Sequence, residues 1–88
     1  MNKVLVIGSI NFDLTQTGDM FPESGHTLIS RSSYVGIGGK GANQAVAASR
    51  LAVNSNIELI GCVGDDYLGT IILSELNKEN LEISKIKK

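Results

Sequence analysis

Residues 36 to 43, Gly-Ile-Gly-Gly-Lys-Gly-Ala-Asn, constrain this chain more than any other stretch. Four glycines in six positions run straight into an alanine-rich pattern with helical spacing. Without side chains, backbone N–H groups can come close to a bound group. A helix that starts here adds unpaired donors in its first turn. Residues 36 to 43 are therefore expected to form a ligand-binding loop.

The flanking segments set the architecture. Lys3 to Ile10 is β-rich and apolar on both faces, as a strand buried in a parallel sheet would be. Residues 11 to 25 carry Asn, Asp, Thr, Gly and the only proline, Pro22, so they read as connections with at most a short strand around Leu14 to Thr17. Thr27 to Val35 is extended but interrupted by Ser30, Arg31, Ser32 and Ser33, which suits an exposed strand. From Ala42 the small and apolar residues Ala42, Ala45, Val46, Ser49, Ala52 and Val53 share one helical face, and Asn54-Ser55-Asn56 ends that helix. Ile57 to Val63 reads as a second buried strand. Gly64-Asp65-Asp66 is a turn with Asp66 as N-cap. A helix with Leu68, Ile72 and Leu76 in line, broadened by Ile71 and Leu73, follows to about Asn80, and Leu81 to Ile86 is extended again. Helices alternating with strands in this way predict an α/β fold of βαβαβ order with a mostly parallel sheet, interrupted by a small antiparallel excursion. The last strand has nothing after it, so the chain is expected to be the front part of a larger domain, with marginal stability by itself because apolar surface stays uncovered.

Composition narrows the function classes. A net charge of −1 and a pI near 5.7 do not suit a nucleic-acid surface, which clusters Lys and Arg. No apolar run approaches the ~20 residues of a membrane span, and the N-terminus is too soon broken by glycine for a secretory signal. Cys62 is the only cysteine and sits in an apolar run, so a buried, inert thiol is expected. Together these features favour a cytoplasmic protein.

Several local patterns admit two readings. Gly36-Ile37-Gly38-Gly39-Lys40-Gly41 matches the dinucleotide pattern G-x-G-x-x-G, but polar Ser30 to Tyr34 precede it where that motif needs a buried strand. Glu58, about twenty residues on, falls near the start of its strand, whereas a ribose-binding acid would sit at the end. The nucleotide P-loop pattern fails, since Gly41 follows Lys40 and Tyr34 takes the place of the first glycine. Asn11 and Asp13 lie just past the first strand, where open α/β sheets bind ligands. If the loop turns between them, they form a hydrogen-bonding pair for vicinal hydroxyls; otherwise each makes an Asx-type turn. Asn43, in the first helical turn, either faces the glycine loop or lies at the surface. Asp65 and Asp66 are expected to cap a helix and His26 to face solvent. No Ser/His/Asp or Cys/His arrangement can be assembled, and no metal site is expected.

These residues carry a resemblance. Gly8-Ser9-Ile10-Asn11-Phe12-Asp13 is similar to the N-terminal substrate motif of the ribokinase branch of the PfkB-type carbohydrate kinase family. Phe21-Pro22 with Gly25-His26-Thr27 resembles the lid segment of that family. Gly38-Gly39-Lys40-Gly41-Ala42-Asn43-Gln44-Ala45-Val46-Ala47-Ala48 looks like its first signature, and Cys62 to Gly69 is similar to the next block. The resemblance implies the N-terminal part of a Rossmann-like fold, with a small β lid whose strands lie within about residues 14 to 35. It implies ATP-dependent phosphorylation of the 5-hydroxyl of D-ribose, with Asn11, Phe12, Asp13, Gly38, Gly39, Lys40, Gly41, Ala42 and Asn43 around the sugar. It also implies Mg2+, with a monovalent cation as a further candidate, and a homodimer formed through the lid. The lid of that family usually has Pro and Glu where this chain has Ser24-Gly25-His26-Thr27, which puts the lid contacts in question. The second signature, Asp-Thr-x-Gly-Ala-Gly-Asp, which supplies the catalytic base and the anion hole, does not occur here. Residues 1 to 88 are accordingly expected to hold no catalytic residue and to be inactive alone. The alternatives are a non-catalytic sugar-binding or interaction module, and a kinase for another sugar or a nucleoside.

Overall fold

The computed structural model describes residues 2–88. Strand β1 (Asn2–Ile7) pairs in parallel with β4 (Ser55–Ile60), in a register that runs from Asn2 opposite Ser55 to Ile7 opposite Ile60. A parallel pair needs a crossover, and helix α1 (Lys40–Leu51) supplies it. The C-terminal segment continues the sheet on the other side of β4. There Glu82 N–H donates to Ile57 O at 2.9 Å, and Lys87 N–H donates to Gly61 O at 3.0 Å. The two parallel bridges at Glu82 and Lys87 are separated by a turn, so this edge pairs at two points. Helix α2 (Tyr67–Leu76) connects β4 to that segment.

A second sheet stands apart from the first. Strands β2 (Asn11–Thr17) and β3 (Ser32–Gly38) form an antiparallel pair, with Asn11 opposite Gly38 at one end and Thr17 opposite Ser32 at the other. Its root packs on α1 and α2 through Phe12 and Ile37, which are half-buried against the core. Beyond the root, residues 13–29 are exposed throughout, and the molecule extends 54 Å along its longest axis against 19 Å along its shortest.

The core lies between the parallel sheet and the helices, and consists of Ile10, Ala42, Ala45, Ile57, Leu59, Val63, Ile72 and Leu76. Small residues make this thin layer possible. Ala42 and Ala45 are fully buried, so the α1 backbone lies close to the sheet. Ser49 is also buried, and its hydroxyl donates to Val46 O at 2.8 Å. The N-cap expectation for Asp66 holds: its carboxylate accepts from Gly69 N–H at 2.8 Å.

The structure departs from the sequence reading in several places. β1 is parallel as expected but is not buried on both faces; Leu5 is 52% and Ile7 75% exposed, because among the described residues no layer covers the face away from the helices. β2 begins at Asn11 and β3 at Ser32, so the excursion is a longer, more regular ladder than strands at 14–17 and 27–35 would give. Helix α1 starts two residues before Ala42 and ends at Leu51, leaving Val53 exposed beyond the apolar face. Ser55 and Asn56, read as a helix terminator, already belong to β4, which ends at Ile60. α2 ends at Leu76, and its N-terminal Leu68 is largely exposed because it precedes the contact with the core. Cys62 is exposed rather than buried, since β4 has ended before it and the next inward side chain is Val63.

Glu58 is 2% exposed in the middle of β4, opposite Leu5. Its Oε1 has no hydrogen-bond partner among the described residues, but Lys3 Nζ at 3.6 Å and Lys85 Nζ at 3.7 Å flank it. Two nearby ammonium groups offset part of the cost of a buried carboxylate. Glu58 thus belongs to an ion cluster on the sheet, away from the glycine loop.

Candidate functional site

The site is built where β1 ends, β2 begins and α1 starts. Gly39, the N-cap of α1, has φ of 92°, a left-handed conformation that glycine adopts without strain. That bend carries the chain from β3 into α1 and sets Gly41 directly on Gly8. A Cβ on Gly41 would lie 2.6 Å from the Gly8 carbonyl carbon and 2.8 Å from Ser9 N, so only glycine allows this backbone-on-backbone contact. Two hydrogen bonds fasten the junction: Ala42 N–H donates to Ser9 O at 3.0 Å, and Lys40 N–H donates to Ser9 Oγ at 3.2 Å.

These bonds change the picture of an open cradle of amides. Lys40 and Ala42 donate to Ser9, and Asn43 N–H donates to Gly39 O at 2.9 Å. The glycines thus serve first to seat the helix on the β1–β2 turn. Gly39 is partly exposed at this bend, whereas Gly41 is buried against Gly8. The first turn of α1 has no acidic residue and Gly39 offers no capping side chain, so the two Ser9 oxygens stand in for a cap there.

Asn11 and Asp13 need no turn between them. Both lie in β2, two residues apart, and strand alternation puts them on one face of the hairpin. Gly38, opposite Asn11, and Gly36, opposite Asp13, leave that face clear of side chains on β3. The Asp13 carboxylate lies over Gly38, close enough that any Cβ there would collide with it. Asn11 and Asp13 are exposed and line a concavity of about 510 Å³ together with Cys62, Gly64, Asp66 and Gly69.

The remaining residues singled out from the sequence divide. Lys40 and Asn43 are exposed at the start of α1. Asn43, however, lines a different concavity, about 340 Å³, with Phe12, Ile37, Val46 and Ile71. Phe12 packs against the core and borders both concavities, while Ala42 is fully buried beneath the start of α1. His26 is exposed in the loop beyond the hairpin, 3.9 Å from Glu23 Oε2. Ser9 was missed as a contributor, although it lies inside the Gly8-to-Asp13 motif; its role depends on a contact across 31 residues that no local pattern reveals.

No group of three His, Cys, Asp or Glu side chains converges among the described residues. Nor is any described helix long and apolar enough to cross a membrane.

Comparison with known proteins bears on the family and the fold. The family profile described as pfkB family carbohydrate kinase matches residues 1–88. Ribokinase of Bacillus subtilis (strain 168) is 47% identical over 76 residues, which cover 86% of this chain and 25% of that protein. Ribokinase from Giardia lamblia superposes with a TM-score of 0.87 at 30% identity, covering all of this chain and 28% of its own. Arabidopsis thaliana ribokinase, solved complexed with ribose and ATP, superposes at 0.79 with 26% identity, covering 98% of this chain and 27% of its own. The chain thus spans about a quarter of the length of these relatives.

Proposed function

Because the chain belongs to the pfkB family of carbohydrate kinases, we propose that it forms the sugar-binding part of a ribokinase, which phosphorylates the 5-hydroxyl of D-ribose. The observation that carries this reading is the juxtaposition of the Asp13 carboxylate and Asn11 with the glycine-flanked start of α1. A carboxylate accepts hydrogen bonds from two adjacent hydroxyls, and the amide of Asn11 both donates and accepts. Glycines opposite them on β3 let a sugar ring approach the sheet. The amide of Gly39 and the ammonium of Lys40, both at the partly open start of α1, supply donors to hydroxyl oxygens. Together these groups bind and orient a polyol.

When bound, ATP with Mg2+ supplies the phosphoryl group and neutralises its charge. No described residue is assigned to either, and residues 1–88 are proposed to be inactive alone. The hairpin, in this reading, is the lid that keeps water from the reacting groups, and its free edges form the homodimer contact.

The test uses the complete kinase chain. Ribose-dependent ADP formation is expected to exceed that with fructose or adenosine, and a preference for either of those would reassign the substrate. Replacing Asp13 by Ala should weaken ribose binding by about 1.5–3 kcal/mol, the scale of hydrogen bonds to a charged group. Calorimetry showing wild-type affinity in Asp13→Ala would remove that residue from the site. ATP turnover by residues 1–88 alone, above a protein-free control, would refute their inactivity.

A further inference from the structure

The N-terminus of α1 lacks a cap of its own and takes one from a distant residue. An N-cap side chain normally accepts from the N–H groups of the first helical turn, but the cap position here is Gly39. Ser9 fills both acceptor roles instead: its hydroxyl takes the N–H of Lys40, the first helical residue, and its carbonyl takes that of Ala42, the third. Gly8 and Gly41 touch backbone to backbone beside these bonds, so no side chain separates the two segments. Two residues beyond Ser9 the chain enters β2 with Asn11 and Asp13.

We infer that Ser9 is a positioning residue for the sugar site: its hydroxyl holds the start of α1 in register with the Asn11–Asp13 strand, so that donors from the helix and acceptors from the strand face one ligand together. This rests on the sugar-kinase reading given above. The two bonds differ in what they depend on. The carbonyl bond to Ala42 survives any side-chain change at Ser9, whereas the bond to Lys40 needs the hydroxyl. Removing the hydroxyl therefore frees the Lys40 end of the loop and leaves the helix seated. The result is a loosened site on an intact fold.

The experiment compares the complete kinase with its Ser9→Ala and Ser9→Thr variants, by steady-state kinetics and by amide hydrogen exchange. Ser9→Ala is expected to raise KM for D-ribose roughly five- to tenfold, as loss of one ordinary hydrogen bond would, with kcat and KM for ATP nearly unchanged. Ser9→Thr, which keeps the hydroxyl, should restore KM. Exchange at Lys40 should accelerate in the alanine variant while Ala42 keeps its protection. An unchanged KM for ribose in Ser9→Ala, a raised KM that threonine does not restore, or unaltered exchange at Lys40 would each overturn the assignment. If the parent protein phosphorylates no pentose, the functional reading fails by itself. Exchange at Lys40 then still upholds or overturns the hold that Ser9 has on the helix.

Discussion

The α/β body and the β2–β3 hairpin contain similar apolar residues and use them differently. In the body, Leu59 and Leu76 are fully buried between sheet and helices. On the hairpin and the segment joining its strands, Phe21 and Ile29 are each 94% exposed and Leu14 is 61% exposed. The hairpin is held instead by its backbone ladder and a few polar contacts near its outer end. Thr17 Oγ1 lies 2.6 Å from Ser32 Oγ, Arg31 N–H donates to Thr17 O at 2.7 Å, and Arg31 pairs with Asp19 at 2.9 Å. A two-stranded hairpin in water is marginal at best, so this one depends on its root, where Phe12 and Ile37 reach the core. An apolar side chain stabilises only where a second layer meets it. The candidate site residues lie at the junction of the two regions, where a packed body meets an arm with little burial.

This contrast can be broken by mutation. Leu59→Ala should cost about 2–5 kcal/mol in chemical denaturation, because it opens a cavity in a fully buried position. Phe21→Ala should stay within about 0.5 kcal/mol as a surface change, and a large loss there would mean that the outer segment is packed after all. At the junction, Gly41→Ala forces a methyl against the Gly8 backbone, which has no flexible side chain to yield. A loss of about 1–3 kcal/mol is expected from such overpacking, and neutral behaviour would show that the α1–β1 contact is looser than described. Within the body, Asp66→Ala removes the cap of α2 and should cost about 1 kcal/mol, with Asp66→Ser recovering most of it.

The smallest effect concerns pH. Arg50 donates to both Glu79 carboxylate oxygens at 2.9 Å, and these hydrogen bonds hold the Glu79 carboxyl below its usual range. A depressed folded-state pKa adds stability that is complete above the ordinary glutamate value and disappears as pH falls through the lower folded value. Melting temperatures of the parent and Glu79→Gln should therefore differ slightly near neutrality and converge in acid. A gap that persists or widens in acid would contradict this sign.

Local chemistry made much of the fold legible. The alternation of strands and helices, the Asp66 cap and the helical stripe through Ala42, Ala45 and Ser49 follow from periodicity and capping preference, which act within a few residues. Exposure was less legible. The apolar runs around Leu5, Ile7 and Cys62 imply burial, yet burial needs a covering layer, and a run of residues says nothing about where that layer stops. The extent of β2 was hidden for a related reason. Asn11, Asp13, Thr15 and Thr17 look like a polar connection, but pairing with β3 satisfies their backbone and turns them into the polar face of a hairpin.

For the site, the amino-acid order by itself determined which residues were candidates, because four closely spaced glycines before a helix and an Asn-x-Asp after a strand limit what the backbone and side chains can do. Only the tertiary structure decided how they work together: Gly41 seats on Gly8, Asp13 covers Gly38, and Ser9 caps a helix that begins 31 residues later. Contacts of this kind depend on the parallel pairing of β1 with β4 and the crossover through α1. Their distances are set by the packing of whole elements, which no local preference encodes.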